Sequence, residues 1–293
     1  MKEYLSPRQA ARAIGASEAS LKRWCDQGLL PAVRTGGGHR RLPIAGVIGF
    51  IRERGITVSD PAVLGMPATT GAGPGTLARA RERMKGSLIE GDSDKFRAAA
   101  FDLYLSGQSI AVIGDKFISS IFEELGQLWD HGDLEIYQER RAVEICTQWL
   151  YEIRPAVGIP TIDAPYALGS TLSGDPYSMP TTIVEVALLE AGWRAESHGI
   201  DHPLHTLQAA VCAKKPRLTW VSFSSIDNKS ELVNAWPEFY ETAAAQDTLV
   251  VVGGRALDDE LRREMKYSAF CDTLDHLVTF VAQFMGTSSQ PPR

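Results

Sequence analysis

Hydrophobic spacing changes character along this chain, and each change predicts a different kind of structure. The first stretch is helical but short-winded. The apolar residues of "PRQAARAI" recur at three- and four-residue steps, Gly15 breaks the run, and Leu21 and Trp24 resume it. Ser6-Pro7-Arg8-Gln9 reads as a capping box with proline at the first helical position. Ser17 caps a second predicted helix, Glu18 to Gln27, with Gly28 just past its end. With Leu21 and Trp24 turned inward, Ala19, Ser20, Lys22 and Arg23 are left on the exposed side. "LLPAVRTGGGHRRL" then predicts two extended arms around a glycine tip, carrying Arg34, His39, Arg40 and Arg41. A third helix, Pro43 to Arg54, completes a unit over 1–56.

Residues 57–76, "TVSDPAVLGMPATTGAGPGT", have no period and are rich in Gly, Pro, Thr and Ala, which predicts a flexible linker. The helical period then returns. Leu77, Met84 and Leu88 mark one helix; Phe96, Ala100, Leu103 and Tyr104 mark a second, ending at Gly107. Ile110, Ile113, Phe117, Ile121, Leu125 and Leu128 lie on a third, capped by Ser109. A fourth runs from Asp133 through Ile136, Val143, Cys146, Leu150 and Ile153, with Pro155 expected to stop it. Short loops between such helices predict an antiparallel four-helix bundle over 77–157. Glu139 falls in the middle of the apolar stripe of the fourth helix, where a carboxylate needs a partner or a polar pocket; Arg140 lies about 100° round from it.

From Tyr166 the pattern becomes strand-helix alternation. Apolar runs near "YALGSTL", "WRAESH", "LTWVSFS", "TLVVVGG" and "AFCDTL" alternate with helical stretches near 181–191, 203–213, 231–245, 258–266 and 274–285. Five such units predict a doubly wound five-stranded parallel sheet over 163–286, followed by a tail, 287–293, with ligands at the C-terminal ends of the strands. The whole chain is thus expected to be multidomain, α and then α/β.

Composition adds two constraints. At 293 residues, 44% hydrophobic and 23% charged, the chain has the profile of an ordinary globular protein of two or three domains, and no apolar run approaches a membrane span. The net charge of −6 conceals a split: residues 1–56 hold ten Lys/Arg against four Asp/Glu, so the remainder carries −12. A basic head on an acidic body points to a polyanionic partner for the head. Cys25, Cys146, Cys212 and Cys271 form no C-x-x-C pair, which favours reduced thiols in a cytosolic, cytoplasmic protein and assigns no cysteine-based metal site. No G-x-S-x-G, H-E-x-x-H or phosphate loop occurs, so no catalytic residues are assigned and no enzyme is expected. His198, His202 and His205 share the loop after the second strand; a solvated loop and a ligand cluster both remain open there.

The string "SPRQAARAIGASEASLKRWCDQGLLPAVRTGGGHRRL" resembles the winged helix-turn-helix of the MerR and excisionase type. That resemblance implies a double-stranded DNA operator, the second helix in the major groove and the wing on the backbone. The order of head, bundle and α/β domain resembles the CarH/LitR group of cobalamin-dependent photoreceptor repressors, whose sheet domain is of the cobalamin-binding, flavodoxin-like type. In that group the bundle carries Trp, nine residues, then Glu-His over the corrin. Trp129 and Glu139 keep that spacing here, with Arg140 at the histidine position. The group's Asp-x-His-x-x-Gly loop corresponds to "GDPYSMP", with Tyr177 for the lower-ligand histidine and Pro180 for the glycine. Gly174, Asp175, Gly199, Ser222, Gly253 and Gly254 also match.

The resemblance therefore implies a transcription regulator with a sensor of cobalamin-binding type that lacks the cobalt–histidine bond, and a light switch dependent on adenosylcobalamin is not expected. Trp129, Glu139, Arg140, Gly174, Asp175, Tyr177, Ser222, Gly253 and Gly254 are its expected ligand pocket. The cofactor stays open between none, a cobalamin held without histidine and another tetrapyrrole. Expected partners are operator DNA, a second copy (dimer or tetramer) and a small-molecule or protein effector. A true cobalamin sensor, a corrinoid carrier and a body serving only oligomerisation are the alternatives.

Overall fold

The chain divides into two units, Met1–Ile159 and Pro160–Arg293, and the computed structural model describes residues 3–70, 77–158 and 160–284. Linker residues 71–76 and the tail 287–293 lie outside the described residues. The first unit opens with β1 (Tyr4–Leu5), α1 (Pro7–Ile14), α2 (Glu18–Asp26), β2 (Val33–Arg34), β3 (Arg40–Pro43) and α3 (Ile44–Arg54). Both expected caps are formed. The Gln9 N–H donates to Ser6 Oγ at 3.2 Å while the Ser6 N–H donates to Gln9 Oε1, and the Ser20 N–H donates to Ser17 Oγ at 3.1 Å. β3 is the middle strand of a small antiparallel sheet, pairing Leu42 with Leu5 of β1 and Arg40 with Arg34 of β2.

On α3, Ile44, Val47, Ile48, Phe50 and Ile51 are all buried. A helix this apolar on several sides needs cover on more than one of them. It packs on β3 within the head and on two helices of the bundle, α5 (Ser93–Leu105) and α8 (Ile136–Val157). Arg52 lies 3.9 Å above the Tyr104 ring and donates to the Gln108 carbonyl at 3.1 Å.

Residues 57–70 differ from the expected free linker. The N–H groups of Ser59 and Asp60 both donate to the Ala13 carbonyl, at 2.7 and 3.2 Å, and Asp60 pairs with Arg12 at 2.5 Å. A 3-10 turn, Pro61–Leu64, buries Pro61 and Leu64, and Met66 follows them into the interior. Composition suggested a linker because Gly and Pro set turns, but Leu64 and Met66 supply enough apolar surface to hold those turns on α1.

The bundle comprises α4 (Leu77–Glu90), α5, a long rod and α8. The rod begins as α6 (Ile110–Val112), widens to a π-helix over Ile113–Ser119 and continues as α7 (Ser120–Asp130). Ser120 Oγ donates to the carbonyls of Lys116 and Phe117 at 2.9 and 3.1 Å, occupying acceptors in the widened turn. The core is aromatic at its centre: Trp149 stands edge-on to Phe96 and Phe101, at 6.3 and 6.2 Å, among Met84, Leu88, Ile113, Ile121, Cys146 and Leu150. Two expected core positions are outside it, since Leu77 and Ile136 are about half exposed at helix starts. Pro155 does not stop α8, which runs on to Val157. Only the bond to the Tyr151 carbonyl is lost, and Tyr151 is on the exposed side, where water can replace it.

The second unit is the doubly wound sheet. β4 (Tyr166–Thr171), α9 (Ser178–Glu190), β5 (Arg194–Ser197), α10 (Leu204–Lys214), β6 (Leu218–Ser222), α11 (Lys229–Ala245), β7 (Leu249–Gly253), α12 (Asp259–Glu264), β8 (Ala269–Phe270) and α13 (Leu274–Ala282) follow one another. All strand pairs are parallel, in the order β5-β4-β6-β7-β8. Helices cover both faces, so the strands are nearly continuous apolar runs.

The bundle's main polar clamp predicts its acid sensitivity. Glu124 of α7 is bound by Lys85 at 2.8 Å and by Arg81, both on α4, and these bonds hold its carboxyl below the usual range. A depressed folded value gives stability that is present above the unfolded value, about 4.3 for Glu, and is lost as pH falls through the folded one. Glu124→Gln is expected to flatten the acid limb of a melting-temperature profile and to leave its alkaline limb unchanged, as followed by circular dichroism.

Candidate functional site

The head carries its cations on two elements. On α2, Ala19, Lys22 and Arg23 are exposed, while Ser20 is half-buried, with its hydroxyl 3.0 Å from Ser17 Oγ. On the wing Arg34, His39 and Arg41 are exposed. The tip is a tight turn in which the Thr35 N–H donates to the His39 carbonyl at 2.9 Å and the Gly38 N–H to the Thr35 carbonyl at 2.8 Å. Arg40 departs from the expected phosphate-facing pair with Arg41. Its guanidinium donates to the Lys22 carbonyl at 3.1 Å and pairs with Asp26, both on α2. Adjacent strand residues face opposite ways, and Arg40 shares its side with the buried Leu42.

In the bundle, Trp129 is about half exposed at the end of α7. Glu139 sits in the first turn of α8, on the same face as Ala142, Cys146 and Trp149, with its side chain 27% exposed and 3.6 Å from Arg140 Nε. The expected carboxylate in mid-stripe is thus at the end of the stripe, beside a guanidinium, where desolvation costs little.

The other expected residues share the C-terminal edge of the sheet. Thr171, Ser222 and Gly253 form one row across β4, β6 and β7. Strand order reverses between β4 and β6, since β5 returns to one side of β4 and β6 to the other; a crevice opens at such a point. Asp175 occupies it. This residue is 1% exposed, and each carboxylate oxygen accepts a main-chain N–H: Oδ1 from Tyr177 at 3.2 Å, Oδ2 from Ser224 at 2.6 Å. Burial pushes its carboxyl up; the N–H groups of Ser224, Tyr177 and Ser225 and the charge of Arg255 pull it back. Thr171 Oγ1 donates to the Asp175 carbonyl at 2.7 Å and accepts the Asp201 N–H at 3.0 Å, while Asp201 Oδ1 accepts the Gly174 N–H at 2.9 Å.

Tyr177 is half-buried and caps α9 through its main chain. Pro180 lies in the first turn of α9, where a missing N–H leaves no intrahelical bond unmade. At Gly174, φ is +85° and a side chain would collide with the Asp227 carboxylate. At Gly254, φ is +115° and a side chain would collide with the Phe223 carbonyl, so this glycine serves a close chain approach.

The histidines of the loop after β5 are dispersed. His202 extends the sheet edge through its main chain, bridging to Leu172, and its Nδ1 lies 3.0 Å from the Ile200 carbonyl. His198 Nε2 is 4.0 Å from Glu196 Oε1, and His205 is exposed on α10. Among the described residues no group of three or more His, Cys, Asp or Glu side chains is placed to hold a metal ion, and no helix is long and apolar enough to cross a membrane. Asp26, Thr171, Asp201 and Ser224 were not singled out in the sequence. For Asp26 a signal existed, an acidic residue at a helix C-terminus where the dipole disfavours it. The Ser224 contribution is a main-chain N–H and carries no residue signature.

Comparison with known proteins adds the following. A helix-turn-helix domain family matches residues 4–55. No curated protein matches the sequence. Among solved structures, the monomethylamine corrinoid protein of Methanosarcina barkeri is similar at a TM-score of 0.60 and 12% identity, over 72% of this chain and all of that one. A cobalamin-binding protein from Desulfitobacterium hafniense DCB-2 matches at 16% identity and a TM-score of 0.37, over 71% of this chain and 98% of that one. The methanol:cobalamin methyltransferase complex of Methanosarcina barkeri matches at 13% and 0.37, over 73% and 83%. The family match and the first likeness together show the fold class: a helix-turn-helix head, then helices and a five-stranded parallel sheet of the fold found in that corrinoid protein.

Asp175 is the residue on which the sheet edge turns. Asp175→Ala leaves the Tyr177 and Ser224 N–H groups without their acceptor and is expected to cost about 1–3 kcal/mol in denaturant unfolding. A raised folded value makes the wild type lose stability as pH rises from the ordinary carboxyl range through that value. The variant is expected to lack this decline.

Proposed function

We propose that this chain is a transcription regulator of MerR type. Its head binds double-stranded DNA, and its body is a cobalamin-binding-like sensor that does not hold cobalt through histidine. The observation that carries the reading is the joining, in one chain, of a helix-turn-helix head whose free cations lie on α2 and the wing with a corrinoid-protein fold. Lys22, Arg23, Arg34 and Arg41 are four exposed cations on the two elements that reach groove and backbone in winged heads, and each phosphate neutralised releases counterions. The chain acts in the cytoplasm, as a dimer or tetramer, because one head buries only about 600–1,000 Å² on DNA and two raise the effective affinity.

A corrinoid ligated by a histidine of the loop after β4 does not fit the residue there. Position 177 holds a phenol, which is an anionic oxygen ligand only when deprotonated. A ligand at this edge would be held by shape and hydrogen bonds beside Tyr177 and Ser222, with no catalytic step; the class of effector is a small molecule, a non-histidine-bound corrinoid or other tetrapyrrole included, or a protein.

Two measurements test the proposal. Fluorescence anisotropy with genomic duplexes is expected to show affinity falling linearly with log salt concentration, and Arg41→Ala to lower that slope by about 0.9. Binding independent of salt, or no binding to any fragment, refutes the DNA reading. Titration with hydroxocobalamin and adenosylcobalamin is expected to give no histidine-ligated absorption spectrum and no light-triggered release from DNA. Tight binding with both signatures refutes the sensor reading.

A further inference from the structure

We infer that Arg40 is a positioning residue that sets the wing on α2, leaving phosphate neutralisation to its neighbour Arg41. The inference rests on the DNA-binding reading above and divides the work of two adjacent arginines.

The strand supplies the first argument. Side chains along β3 alternate, and Leu42 is completely buried, so Arg40 faces the helices while Arg41 faces out. The contacts agree: the Arg40 guanidinium reaches the Lys22 carbonyl at 3.1 Å and the Asp26 carboxylate, one residue donating to two acceptors of one helix.

The helix supplies the second. Asp26 closes α2 at its C-terminus, where the dipole disfavours an anion. A cation delivered from the wing reverses that penalty. Arg34, directly across from Arg40 on β2, would repel it without Asp26. An exposed pair of this kind adds little to stability on its own. Its effect is geometric. β2 and β3 pair over only two residues on the wing side, so their ladder alone leaves the wing angle weakly set. Arg40 ties that angle to α2 and thereby fixes the separation of Arg34 and Arg41 on the wing from Lys22 and Arg23 on the helix.

The test uses the full-length protein and anisotropy titrations of duplex DNA across a range of salt. Arg40→Ala is expected to weaken binding about tenfold with the salt slope unchanged, whereas Arg41→Ala lowers the slope by about 0.9. Asp26→Ala separates the two roles most sharply. Removing an anion from the head should tighten binding if charge alone matters, but here it is expected to weaken binding about as much as Arg40→Ala. The double variant should lose no more than either single one. Arg40→Lys keeps the charge, which would preserve a phosphate contact, yet it cannot span both acceptors and is expected to weaken binding with an unchanged slope. A slope lowered by Arg40→Ala, or tighter binding by Asp26→Ala, overturns the inference while leaving the DNA reading intact. Salt-independent binding by the wild type removes both. Should Arg40→Ala unfold, as thermal melting would reveal, the Asp26→Ala and Arg40→Lys results decide alone.

Discussion

The carboxylate of Asp175 lies where the order of strands reverses, and two loops take their shape from it. One oxygen starts α9 by accepting the Tyr177 N–H; the other draws in the Ser224 N–H at the end of β6. Thr171 ties the same residue's carbonyl to the loop after β5 through Asp201. Three of the sheet's crossovers therefore meet at one buried acidic residue. Such a carboxylate is stable only because main-chain N–H groups replace the water it has lost. The edge is consequently built before any ligand arrives, and a ligand would pay little to order it.

In the head, the period of a single strand settles a question that composition leaves open. Two adjacent arginines look equivalent as charges, but β3 sends one toward α2 and the other into solvent. Basic clusters in wings are often counted as one electrostatic footprint. Here part of the cluster is neutralised internally, and Asp26 is the residue that does it.

The sheet was legible because its strands are buried on both sides, and continuous apolar runs such as "LVVV" survive in the sequence. The bundle was legible for a similar reason, although the stripe on α8 centres on Trp149 as well and its outer end, Ile136, is exposed. Helix ends expose residues that the period alone places inward. Residues 57–70 have the composition of a free linker because Gly and Pro outweigh there the few apolar residues that hold the turns down. At the sheet edge, Gly174, Asp175, Tyr177 and Ser222 were marked by the family resemblance alone, and Ser222 is the last residue of β6. What binds Asp175 was not marked, since main-chain N–H groups leave no trace in residue types.

The covering of α3 and the strap over residues 57–70 bear on where this protein can be cut. The helix-turn-helix family ends at residue 55, and that border invites excision of the head as a free module. A fragment ending there would take α1 without Leu64 and Met66 and α3 without the helices that shield its far side. Arg52 would lose both the Tyr104 ring and the Gln108 carbonyl. The border of the recognisable motif therefore falls inside a packed unit and not at its edge. The compact unit that carries the head runs on through the bundle, from Met1 to Ile159.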